Sequence, residues 1–363
     1  MQSNKSFGSV LVTGGCGFYG HHLISRILEF EPTCTISVLD VDVSVNTFPS
    51  VSYHQCDLSD GARVRAIFGQ LQPPPRVVFH LACPPSIVLN DDRFWRVNVN
   101  GTRHLLESAR LVGVKAFVFT SSSAVVHDNV SDLIEADETM PILKPPQQKS
   151  VYTLTKAIAE EDVLAANRKD GLLTVSLRPC TTFGPGNPGF LSRIVEVCKA
   201  GKARYQMGEN NLWDFIYVGN LVHACIIAAE RLLVASETTP LPANQRVEGE
   251  AFNITNNERM TFWDFTLAVS AAIGRPVKEE DLVKVPRIVA LIVCFFSEWG
   301  VWLFSLGRKQ SNMVREGVVF AYITRTLNIE KAIKVLGYRP VVSLKDGIQE
   351  SVDWYMKQDK KVE

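Results

Sequence analysis

Tyr152 and Lys156 stand four residues apart in Y-T-L-T-K, a spacing that places a phenol and an ammonium on one face of a helix. A free phenol, with a pKa of about 10, is a poor base at neutral pH, and a neighbouring cation favours its ionised form. Such a pair is suited to taking the proton of a substrate hydroxyl. Three serines, Ser121, Ser122 and Ser123, end an apolar run at residues 114–120. Ser122 would hold the substrate oxygen; Ser123 competes for that role, because a shift of one residue in the strand end exchanges them. Asn98, on the long helix expected before that run, could order a water that relays the proton. Y-x-x-x-K also arises by chance and serine runs also cap helices. The order of the motifs along the chain is what singles these residues out.

That order begins at residues 9–20, S-V-L-V-T-G-G-C-G-F-Y-G, where a short apolar strand meets Gly14, Gly17 and Gly20 and then a helical pattern opening on Phe18 and Tyr19. Glycines let such a turn tighten and approach a pyrophosphate, and the amides at the helix start face its charge. The next apolar run, residues 36–39, ends in Asp40, twenty residues after Gly20, where a dinucleotide fold places the carboxylate that accepts ribose hydroxyls. An acid there repels a 2′-phosphate, so NAD is expected over NADP. Asp42 is the fallback. Asp57 and Leu58 follow a third strand, Ala82 ends a fourth and Pro179 follows a sixth, all at the edge where doubly wound sheets bind ligands. As an alternative, Asp57 is an N-cap or turn carboxylate for the helix at 63–71. With a nicotinamide held there, Tyr152 would accept the proton as hydride leaves the carbinol carbon, and Lys156 would also bind the ribose.

Strand and helix alternate from residue 9 to about 187, which predicts right-handed crossovers and an α/β, Rossmann-type doubly wound parallel sheet. Residues 1–187 are expected to form the NAD-binding domain. Residues 188–363 are expected to form a smaller C-terminal substrate-binding lobe, interleaved with returns to the sheet. The Pro-rich, acidic stretch at 128–150 reads as a surface loop beside the site. Residues 288–306 are almost wholly apolar, with Glu298 inside them and Gly300 interrupting the helix pattern. They suit an interfacial helix or anchor, a pocket wall or a membrane span.

Of 363 residues, 46% are hydrophobic, and 38 basic residues balance 38 acidic ones, which gives no reason to expect a nucleic-acid partner. The eight cysteines are scattered without metal-ligand spacing, so neither a metal nor disulfides are expected. With the first strand beginning by Ser9, no room is left for a signal peptide, and a cytosol-facing chain is expected.

The strings T-G-G-C-G-F-Y-G, V-N-V-N-G-T, F-T-S-S-S, Y-T-L-T-K and L-R-P-C-T-T-F-G-P-G resemble the extended short-chain dehydrogenases. W-D-F-I-Y-V-G-N, F-N-I-T-N, F-S-E-W and L-G-Y-R-P resemble its 3β-hydroxysteroid dehydrogenase group, with similarity running from about Ser9 to Trp354. The resemblance, strongest to the decarboxylating branch, implies NAD-dependent oxidation of the 3β-hydroxyl of a 4α-carboxysterol or related triterpenoid to the 3-ketone. The β-keto acid so formed loses the carboxyl as CO2. It further implies action at the endoplasmic reticulum or lipid droplets, and it allows a homodimer. Plain 3β-hydroxysteroid dehydrogenation and nucleotide-sugar epimerisation or dehydration are the alternatives. Departures from the family pattern fall at Cys180-Thr181-Thr182, at Asn187 and at residues 143–150, and should border the substrate.

Overall fold

Seven strands form one all-parallel sheet; all but the edge strand Ser52–Gln55 are largely buried and need helices on both faces. In the computed structural model, which describes residues 6–85, 91–208, 210–242, 244–304 and 315–362, these are β1 (Ser9–Thr13), β2 (Thr35–Asp40), β3 (Ser52–Gln55), β4 (Val77–His80), β5 (Ala116–Thr120), β6 (Leu173–Pro179) and β7 (Glu250–Ile254). Their order is β7-β6-β5-β4-β1-β2-β3, with the reversal between β1 and β4 that opens a crevice at the carboxyl edge. The helices are α1 (Phe18–Phe30), α2 (Gly61–Gln70), α3 (Thr102–Leu111), α4 (Val151–Ala165), α5 (Phe190–Lys199), α6 (Val218–Ala235), α7 (Phe262–Ala272), α8 (Arg287–Phe304), α9 (Arg315–Ala321) and α10 (Leu344–Val362). One apolar core lies between the sheet and α1 and α6; another lies between the opposite face and α2, α3 and α4.

The predicted alternation holds, with three differences. The stretch expected as a surface loop contains a strand, Leu133–Ala136, which pairs in parallel with Arg325–Leu327. These two join Leu212–Tyr217 and Arg259–Thr261 in a second sheet, to which Thr181–Phe183 also bonds. The long helix expected from residue 91 has a π-helical segment, Trp95–Gly101, between a short turn, Asp91–Phe94, and α3. Gly300 does not interrupt α8, which runs unbroken.

α8 carries the largest exposed apolar surface. Ala290 and Cys294 are its buried side chains, resting near Val318, Met207 and Val285, whereas Ile288, Phe296, Trp299, Trp302 and Phe304 are 57–91% exposed. α6 is equally long and apolar, but most of it is buried in the core. Leu306 and the other residues of the apolar stretch beyond Phe304 lie outside the described residues.

Candidate active site

The glycines build a cradle that side chains would fill. Gly14 turns at φ +70°, and a Cβ there would stand 2.8 Å from the Ala82 Cα. A Cβ on Gly20 would collide with the Gly14 carbonyl oxygen, so α1 can lie directly on the turn only with glycine in that place. Gly17 caps α1 and brings no side chain to its first turn, where Phe18 and Tyr19 begin the helix. Those first-turn amides need an acceptor, which an anion supplies.

Asp40 ends β2 above this turn and its carboxylate accepts the Cys16 amide at 3.0 Å. Asp42 is exposed and occupied with Ser44, whose amide and hydroxyl it accepts at 2.9 and 2.6 Å; these bonds lower its pKa. The cap of α2 is Asp60, not Asp57; Asp57 accepts the Ser59 amide at 2.9 Å in a turn at the carboxyl edge. Leu58 is buried, close against Gly101. Ala82 lies two residues past β4, and Pro179 is buried at the end of β6.

Tyr152 and Lys156 share a face of α4, which Ser150 caps. The Tyr152 hydroxyl is hydrogen-bonded to Ser122, and its ring meets Phe94 edge-on at 5.8 Å. Ser123 points elsewhere, into a small cavity with Leu133, Cys180, Asp214 and Arg325. Lys156 differs from expectation. Its Nζ donates to the Thr120 carbonyl at 2.6 Å and lies 4.6 Å from the centre of the Phe119 ring. Burial pushes the Tyr152 pKa up, Cys83 and Tyr19 add to the rise, and Ser122 is the group that opposes it. The protein without a cofactor therefore holds Tyr152 as the neutral phenol. Lys156 is itself buried, which lowers its pKa.

Asn98 is buried within the π-helical segment. Its amide donates to Thr155 at 3.1 Å, which braces it on α4, while its Oδ1 has no hydrogen-bond partner among the described residues. Segments of this type recur at functional sites because the extra residue re-aims a side chain. An orphaned acceptor here suits an ordered water.

Sequence reasoning missed Arg325, whose motif-free surroundings gave no signal. Its guanidinium stacks on Phe320 and Trp213 at 4.4 and 5.4 Å and lines the Ser123 cavity. Burial pushes its pKa down to about 10, which leaves it charged at neutral pH. Asp214, in the same cavity, is paired with Arg259 at 3.5 Å and accepts the Leu327 amide at 2.7 Å. Among the described residues, no carboxylate forms an ion pair with Arg325. Tyr19 lies between the two regions: burial raises its pKa, Thr182 opposes the rise and Cys180 adds to it, and Tyr19 in turn raises the pKa of Tyr152. Of the departures from the family pattern, Cys180 and Thr181 border this cavity. Asn187 instead accepts the Leu191 amide at 3.0 Å at the start of α5, and Gln148 supports the His127 carbonyl at 2.9 Å.

The sequence pattern of the 3-beta hydroxysteroid dehydrogenase/isomerase family matches residues 11–285. The chain belongs to that family. It is an NAD(P)-dependent oxidoreductase that acts on a CH–OH group. This family member is 36% identical over 360 residues to sterol-4-alpha-carboxylate 3-dehydrogenase ERG26, decarboxylating, of Candida albicans, covering 97% of this chain and 98% of that protein. It is 31% identical over 354 residues to the Mus musculus sterol-4-alpha-carboxylate 3-dehydrogenase, decarboxylating, covering 96% and 92%. Among solved structures, the UDP-glucose 4-epimerase of Thermotoga maritima superposes with a TM-score of 0.70 at 23% identity, covering 96% of this chain and 99% of that one, a likeness of fold. The glycine cradle and Asp40 above it fit the pyrophosphate and ribose of a dinucleotide. The turn amides would hold its pyrophosphate and Asp40 its adenine ribose.

Proposed function

We propose that the protein oxidises the 3β-hydroxyl of a 4α-carboxysterol or related triterpenoid with NAD and releases the carboxyl group as CO2. The observation that carries this reading is Arg325, a cation with no ion-pair partner among the described residues, in a small cavity that Ser123, the chain neighbour of Ser122, also lines. It is supported by the curated relatives named for that reaction. The bound nicotinamide supplies the hydride acceptor. Tyr152 Oη accepts the substrate hydroxyl proton, Ser122 donates to the same oxygen, and the water on Asn98 Oδ1 carries the proton onward. Arg325 pairs with the 4-carboxylate and orients the C3–C4 bond. As the C4–carboxyl bond breaks, its electron pair moves onto the C3 carbonyl oxygen, which Ser122 stabilises and Tyr152 protonates with a proton returned through the Asn98 water; the enol then takes a proton at C4 and gives up the one on oxygen to become the ketone. The decisive experiment is an assay with NAD and a 4α-carboxy-3β-hydroxysterol, following NADH by absorbance and the sterol by mass. NADH with a ketone lighter by CO2 is the expected result. A ketone that keeps its carboxyl would mean plain dehydrogenation.

NAD is favoured because Asp40 stands at the ribose position and no lysine or arginine occurs from Val41 to Asp60. Replacing Asp40 by Ala should raise the KM for NAD and shift the NAD/NADP ratio of kcat/KM toward NADP by about tenfold, the scale of one lost charged hydrogen bond. An unchanged ratio would assign the preference elsewhere.

The exposed face of α8 is suited to the cytoplasmic surface of the endoplasmic reticulum or a lipid droplet, where such a substrate resides. Its tryptophans match the chemistry of a bilayer interface. The wild-type protein should float with phosphatidylcholine vesicles, and the triple change Phe296→Glu, Trp299→Glu and Trp302→Glu should leave it in the soluble fraction. Flotation of the triple variant would remove α8 from this role.

A further inference from the structure

Side chains at the floor of the site form a continuous buried line that the reaction itself does not use. The Ala82 amide meets Thr13 Oγ1 at 3.3 Å, and Thr13 Oγ1 meets His80 Nδ1 at 2.7 Å. His80 Nε2 then meets Thr102 Oγ1 at 2.9 Å, and Thr102 Oγ1 donates to the Asn98 carbonyl at 2.5 Å. Thr13, His80, Thr102 and Asn98 are each at most 2% exposed.

A hydroxyl has one proton to give, and this fixes every direction in the line. Thr102 gives its proton to Asn98, so it accepts from His80 Nε2–H. His80 Nδ1 is then bare and accepts from Thr13, whose oxygen accepts the Ala82 amide. Ala82 is the residue against which Gly14 packs, and Asn98 carries the orphaned Oδ1. The Thr102 hydroxyl thus adds a side-chain bond to the Asn98 carbonyl within the π-helical segment. The line therefore joins the dinucleotide turn to the segment that aims Asn98.

We propose that His80 is a positioning residue whose neutral imidazole locks the Asn98 segment to the dinucleotide turn, so that Asn98 Oδ1 is held where it can bind the relay water. Burial lowers the His80 pKa to about 3, and the Lys156 charge adds to this, so the single tautomer persists across the working range. The role rests on the dehydrogenase reading given above.

Two measurements test it, and the first needs no turnover. With 15N-labelled histidine in the whole protein, and the His80 signals assigned by their loss in His80→Gln, His80 should show a protonated Nε2 and a bare Nδ1 from about pH 8 to about pH 5. An Nδ1–H tautomer, or titration near the ordinary histidine pKa of about 6.5, would overturn the proposal. The second measurement compares Thr102→Val, which deletes the hydroxyl, with Thr102→Ser, which keeps it. If the valine protein does not fold, Thr102→Ala deletes the same group without added bulk. Deletion should lower kcat about tenfold with the KM for NAD within about twofold, and serine should restore kcat. Unchanged kcat with a lower Tm would mean a structural brace only. Loss of NAD affinity at unchanged kcat would mean a support of the turn only. Either result overturns the proposal. Failure of the wild type to turn over would sink the dehydrogenase reading instead, and the tautomer measurement would still decide the line.

Discussion

Replacing Tyr152 by Phe lowers kcat by about 10³-fold, within the ~10²–10⁴ range of a lost general base, and leaves NAD affinity within about twofold. The substitution removes one oxygen. The ring keeps its edge contact with Phe94 at 5.8 Å, and the glycine turn and Asp40, which would hold most of the cofactor, are untouched. Turnover by the wild type should also rise with pH through the neutral range. Burial raises the Tyr152 pKa and Ser122 alone opposes it within the protein, so the reactive phenolate becomes more abundant as protons are withdrawn. Single-turnover kinetics alongside NAD fluorescence titration would check both points. A variant that keeps more than about a hundredth of wild-type kcat, a smaller loss than a positioned base would give, removes Tyr152 from the role of base.

Replacing Arg325 by Met should lower activity on one class of sterol and spare another. For a 4α-carboxylated sterol, kcat/KM should fall by roughly 10- to 150-fold, which corresponds to a lost hydrogen-bonded charge contact of about 1.5–3 kcal/mol. For a 3β-hydroxysterol without the carboxyl group it should stay the same or improve. Folding should tolerate the change. Met has the length to lie between Phe320 and Trp213, and removing a partly desolvated charge that has no ion-pair partner deletes no existing salt bridge. Equal losses on both substrates would mean that Arg325 shapes the lobe rather than reading the carboxylate. No loss on either would place the carboxylate elsewhere.

The parts of the molecule legible in the sequence are those whose signal is local. β1, α1 and β2 read directly because strand, glycine turn, helix and acid occur within about thirty residues, and Gly17 and Gly20 are required by the Gly14 carbonyl close in the chain. α4 was legible for the same reason, and with it the shared face of Tyr152 and Lys156. The π-helical segment was not, because one extra residue per turn leaves the apolar pattern of the long helix almost unchanged while redirecting Asn98. Leu133–Ala136 was read as loop because four residues with an exposed Glu135 carry little strand signal; its pairing partner lies at Arg325–Leu327. Arg325 and His80 were missed for a related reason. A cation opposite a cavity and an imidazole between two threonines are defined by residues distant in the chain, and no spacing rule records them. The position of Lys156 shows the same limit: the helix face was right, but the Thr120 carbonyl that captures its ammonium belongs to β5.

The pairing of Leu133–Ala136 with Arg325–Leu327 closes a loop of nearly two hundred residues. Closing so long a loop carries a large entropic cost and comes late in folding. The dinucleotide turn, by contrast, is complete once β1, β2, β4 and their helices have met, all within the first third of the chain. A newly made chain can thus acquire its cofactor site before its anion pocket exists. A dinucleotide bound at that stage would stabilise the half-formed molecule by mass action, and the cellular supply of that dinucleotide would then help to set how much protein matures.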